Sequence, residues 1–133
     1  MVRVVISGDT RYPADRKVLK KAVHDIFAKY KVEDIDAEVS IAIIGKRKMK
    51  MLSDKYFDDG QIHEVISFPL EEVTDEKGEG FINPPDGILR LGDVILCWPK
   101  VLEAASRDDV FVDEEVYFLV SHGVEHLLGK HHE

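Results

Sequence analysis

The chain has 133 residues, 44% of them hydrophobic, and a formal net charge of −8. That length suits a single domain, 1–133, with one apolar core, and the acidity argues against a DNA-binding protein that lays a broad basic surface on phosphates. No stretch approaches the ~20 apolar residues of a membrane span, the first ten residues carry no signal-peptide pattern, and the lone Cys97 excludes an internal disulfide framework, so a cytoplasmic protein with no membrane partner is expected.

Taken in chain order, Val2–Ser7 alternates like a strand and is followed by turn residues up to Pro13. Ala14–Tyr30 is predicted helical, with Val18, Leu19, Ala22, Val23, Ile26 and Phe27 on one face. Asp36–Gly45 is the most strand-like run, and Lys46–Phe57 is predicted as a short helix turning Met49, Leu52 and Tyr56 inward. Val65–Phe68 reads as a short strand stopped by Pro69, which cannot donate to a ladder and so favours an edge strand or a strand end. Glu71–Ile88, acidic and rich in glycine and proline, reads as a solvated loop or hairpin. Leu91–Cys97 resumes the strand pattern, and Pro99 opens a helix over Lys100–Ala105. The last helix begins near Asp113–Glu115, whose acids suit a helix N-terminus, and Gly129 is a natural stop. The order βαβαβ(β)βαα predicts an α+β (α/β) domain with one small mixed sheet packed by helices.

The chemistry concentrates at the C-terminus, Ser121-His-Gly-Val-Glu-His-Leu-Leu-Gly-Lys-His-His-Glu133. His122 and His126 stand four residues apart and therefore share a helix face. Gly129 ends the helix, and His132 follows three residues later. Two histidines from a helix and one from the next turn occupy three corners of a tetrahedron and leave the fourth to water, the open arrangement of catalytic zinc. One Zn²⁺ on His122, His126 and His132 is the expected cofactor; the adjacent His131 could also reach as third ligand, and spacing favours His132. His24 reads as a surface histidine.

The spacing H-x-x-x-H-x-x-G-x-x-H is shared with metzincin proteases, which carry a glutamate directly after the first histidine as general base. Gly123 stands there, so the protease reading loses its main catalytic group. The run H-G-x-x-H-L-x-G-x-x-H instead resembles the signature of the YbeY family of metal-dependent endoribonucleases. Val65-Ile-Ser-Phe-Pro69 is similar to that family's V-L-S-F-P, and Leu91-Gly-Asp-Val-Ile95 to its L-G-D-I-x strand. The blocks occur in family order and span most of the chain. The resemblance implies a zincin-like fold with the metal on the C-terminal helix and following turn. It also implies a single-strand-specific, zinc-dependent endoribonuclease of rRNA processing and ribosome quality control, whose partner is precursor rRNA on the small ribosomal subunit. A ribosome-associated metal-binding protein, or a metallo-hydrolase of another substrate, is the alternative.

In such a site the metal makes a hydroxide available near neutral pH, and that hydroxide or an RNA 2′-hydroxyl attacks the phosphodiester. Two proton acceptors are candidates: Glu125, about 60° around the helix from His122, and His63, whose titration range suits proton transfer. Ser67 on the edge strand is expected to help align substrate. The family carries an arginine in a Y-R-G-K-D run, and alignment on Ser67-Phe68-Pro69 puts Phe57 in its place. Lys55, with Arg47 and Lys50 nearby, is the candidate substitute for holding phosphate. His63-Glu64 replaces the family's T-D, Lys130-His131 its Y-D, and Glu125 the leucine before the second histidine. Asp93 is expected to orient a loop or a histidine.

Overall fold

The computed structural model describes residues 1–9, 11–70 and 87–130. Its elements are β1 (Val2–Gly8), α1 (Arg16–Lys29), β2 (Ala37–Ile44), α2 (Lys46–Tyr56), β3 (Val65–Pro69), β4 (Leu89–Cys97), α3 (Trp98–Asp108) and α4 (Val112–Leu127). Most of the loop expected at Glu71–Ile88, with its optional strand, lies outside the described residues. The four strands form one mixed sheet in the order β1-β2-β4-β3. β1 and β4 run parallel to β2, and β3 runs antiparallel to β4. The fold is thus a mixed α+β arrangement, and Pro69 indeed ends an edge strand. No helix among the described residues is long and apolar enough to cross a membrane.

Period-two patterning decides which helices cover which face. Val39, Ile41 and Ile43 of β2 and Val94 and Leu96 of β4 point to one face. There they pack against Leu19, Val23 and Phe27 of α1 and Val116, Leu119, Val120, Val124 and Leu127 of α4. A smaller cluster on the other face joins Ile44, Ile66 and Cys97 to Met49 of α2, with Phe68 and Ile95 packed against it. The sheet therefore separates α2 from α4. Two details differ from the sequence expectation. Tyr56 is 53% exposed rather than inward, and Ser53 is the second buried residue of α2. α3 starts at Trp98 and continues to Asp108, and Asp109 closes it in the left-handed conformation.

Two polar clasps hold α1 beside α4. The Tyr117 hydroxyl donates to Asp25 at 2.5 Å, and Asp25 also pairs with Lys21 at 2.6 Å. Five residues further on, just past the end of α1, the Tyr30 hydroxyl donates to the Glu125 carboxylate. The two contacts advance together along both helices, which therefore run in the same direction.

Candidate metal centre

The apolar stripe of α4 faces the sheet, and this leaves His122 and His126 half-buried on the flank beside it. Their ring centres are 4.3 Å apart, as four-residue helical spacing dictates. The acidic first turn of Asp113, Glu114 and Glu115 complements the positive helix end. The other end closes on Gly129, whose φ of 78° places it in the left-handed region. The Gly129 N–H donates to the His126 carbonyl and the Lys130 N–H to the Glu125 carbonyl, both at 2.9 Å. This 5→2 and 6→1 pair is a Schellman turn, so Gly129 stops the helix one turn beyond the second histidine and reverses the chain. His131 and His132 lie outside the described residues, and among the described residues no three metal-ligating side chains converge. The donors that are described, two imidazoles brought to one locus beside a chain reversal, fit a borderline cation such as Zn²⁺.

Three sequence blocks meet at this helix. Gly123, the residue in the protease-glutamate position, is buried, and a Cβ there would lie 2.9 and 3.1 Å from the Cγ atoms of Val94. The glycine lets α4 approach β4 at van der Waals distance. Val94 pairs with Ser67 across the β3–β4 ladder, and directly opposed residues share a face. Ser67 is therefore on the α4 face, at the level of His122-Gly123. Gly92 sits at φ 142° just after the irregularity in the β2–β4 register, and a Cβ there would meet the Phe68 carbonyl at 2.1 Å and Leu127 at 3.0 Å. The Leu91-Gly-Asp block is thus the point where edge strand, inner strand and histidine helix close on one another.

The profile of the endoribonuclease YbeY family matches residues 7–133. This chain belongs to that family. An endoribonuclease YbeY of Dehalococcoides mccartyi is 36% identical over 136 residues, covering 99% of this chain and 78% of the relative. One from Staphylococcus aureus is 34% identical over 116 residues, 84% of this chain and 72% of the relative. The solution structure of TM1509 from Thermotoga maritima shares the fold, with a TM-score of 0.60 at 22% identity over 98% of this chain and 75% of that one.

Against the YbeY pattern, the candidate proton acceptors have partners. The Glu125 carboxylate is buried under α1, accepts from Tyr30 and pairs with Lys29 at 3.4 Å. It points to the α1 side of the helix. His63 Nε2 lies 2.8 Å from Asp59 Oδ2, and its ring packs on Phe57 at 4.9 Å. Phe57, in the YbeY arginine position, follows α2 and is 50% exposed. Lys55 is exposed on α2, the helix on the opposite sheet face, with its ammonium over the Tyr56 ring at 5.1 Å. Lys50 pairs with Asp54. Asp93 pairs with Phe68 in the ladder and so faces α2, on the opposite side of the sheet from the histidines of α4.

Two features escaped the sequence reading. Tyr30 carries the ammonium groups of Lys29 and Lys130 over its ring, at 5.2 and 5.3 Å, while its hydroxyl holds Glu125. It fastens both sides of the Schellman turn to α1. The hydrogen bond to Glu125, together with burial, raises the Tyr30 pKa above the usual phenol range. No local pattern marks a partner 95 residues away. Phe118, one turn before His122, is 62% exposed, and its ring is nearly parallel to the imidazole, 12° between planes at 6.3 Å. Its signal was present: an aromatic at helical spacing from a candidate ligand, on the polar flank.

Proposed function

We propose that this protein is a zinc-dependent endoribonuclease that cuts single-stranded RNA during rRNA maturation and ribosome quality control, in the cytoplasm and on the small ribosomal subunit. The supporting observation is the paired imidazoles of His122 and His126 on a helix closed by the Gly129 turn. Membership in the endoribonuclease YbeY family supports the same reading.

His122, His126 and His132 would hold one Zn²⁺. The ion would supply Lewis-acid stabilisation of phosphoryl charge and a hydroxide source near neutral pH. The rest falls to the chain. Gly123 fixes the depth of the histidines against β4. Among the described residues no strand pairs the outer edge of β3, and its backbone groups there would present donors and acceptors to an extended substrate. Ser67 places a hydroxyl on the same face. His63, oriented by Asp59 at 2.8 Å, is the acceptor we favour over Glu125, whose carboxylate is committed to Tyr30 and Lys29.

The test is metal content and cleavage together. Wild-type protein is expected to bind one zinc per chain and to cut a single-stranded RNA but not its duplex. His126→Ala is expected to lose both properties. Full zinc loading in His126→Ala would refute the site. Phe57 in the arginine position favours one competing reading, a ribosome-associated zinc protein without nuclease activity. Normal zinc binding with no cleavage by the wild type would select it.

A further inference from the structure

We infer that Phe118 is a base-stacking platform that holds single-stranded RNA beside the histidine pair. The inference deepens the endoribonuclease reading and rests on it for the identity of the ligand.

α4 buries Val116, Leu119, Val120, Val124 and Leu127 in the core, so an exposed phenylalanine on its flank adds little to folding. The ring stands one turn from His122 and nearly parallel to it, so the two form a stepped aromatic surface that continues into the candidate site. Electrostatics explain why such a surface is needed. The chain carries a net charge of −8. Several of its cations are engaged with carboxylates: Lys29 with Glu125, Lys46 with Glu103, Lys50 with Asp54, and Arg107 with Glu64 and Asp108. Phosphate contacts are weakened accordingly, and Phe57 replaces the arginine of the YbeY pattern. Base–aromatic stacking is open to every base, is strongest where the bases are unpaired, and does not depend on released counterions. A duplex, whose bases stack on one another, offers no free face.

The probe is a 2′-O-methyl hexaadenylate, single-stranded and lacking the reactive 2′-hydroxyl, compared with a 2′-O-methyl duplex. Phe118→Trp adds an exposed indole, while the native Trp98 is 6% exposed and serves as an unquenched reference. Quenching by the single strand and not by the duplex is expected. Phe118→Ala is expected to weaken single-strand binding by about 5- to 150-fold, the range for removing one stacked base, with an unchanged salt slope. Phe111→Ala, which removes an aromatic that is 78% exposed at the start of the helix, is expected to bind like wild type. Binding by Phe118→Ala within twofold of wild type overturns the inference, as does an equal loss in Phe111→Ala. Phe118-dependent binding without cleavage of unmodified RNA supports the platform and removes the nuclease reading, so the two failures are distinguishable.

Discussion

Gly123→Ala separates the structural role of this glycine from any catalytic one. In a helix interior the change normally stabilises by about 1 kcal/mol, because alanine loses less backbone entropy. Here the new Cβ would sit 2.9 and 3.1 Å from the two methyl carbons of Val94, whose side chain is fully buried. Relieving such contacts moves α4 or rotates Val94 off its rotamer, and overpacking of this kind costs about 1–3 kcal/mol. The net expectation is a loss of about 1 kcal/mol, or roughly 3–5 °C in Tm for a domain of this size. Val94→Ala removes both offending carbons and leaves the Val94 Cβ, at an ordinary 3.6 Å, as the nearest atom. In that background Gly123→Ala should stabilise by about 1 kcal/mol, as propensity dictates. Urea unfolding of the four proteins completes the double-mutant cycle, and its coupling energy should be about 1–3 kcal/mol. An additive cycle, or a stabilised single mutant, would refute the close-packing argument. The same geometry predicts that Gly123→Glu, which restores the protease motif, destabilises the fold and creates no peptidase activity, since the carboxylate would enter the α4–β4 contact.

Other predictions follow from the helix and its ends. Gly129→Ala forces a β-carbon into φ 78° and should cost about 1–2 kcal/mol in chemical denaturation; zinc affinity should fall with it, and Gly129→Asn should retain more of both. Burial, then the charges of Asp108 and Glu64, raise the Glu115 pKa above the usual glutamate range, against a weaker opposing effect of Arg107. A raised folded-state pKa contributes stability that is complete below the unfolded value of about 4.3 and is lost as pH rises through the folded value. Glu115→Gln should therefore raise Tm at about pH 7 and lose that advantage by about pH 4, and a gain of equal size at both would count against the account. Tyr30→Phe removes the donor to Glu125. It should lower Tm and speed hydrogen exchange at the Gly129 and Lys130 amides, whose bonds close the Schellman turn.

The pairing of His122 with His126 and the turn that follows were legible in sequence because those relations are local. Four-residue spacing puts His122 and His126 on one face whatever surrounds them, and a glycine able to take positive φ ends the helix wherever it stands. Pro69 likewise marked β3 as an edge strand or the end of a strand, since a residue without an N–H cannot donate in the interior of a sheet. Tertiary structure decided what those residues face. Gly123 appeared in the sequence as a missing base; the fold shows it as the contact that seats α4 on Val94. Glu125 lies only about 60° around the helix from His122, but that angle turned it under α1 to Tyr30, a partner no periodicity could name. Asp93, in register with Phe68, went to the opposite face of the sheet. Backbone periodicity depends on neighbours in the chain and can be read directly. The environment of a carboxylate depends on which distant element packs over it, and here that was settled when α1 and α4 came to lie side by side.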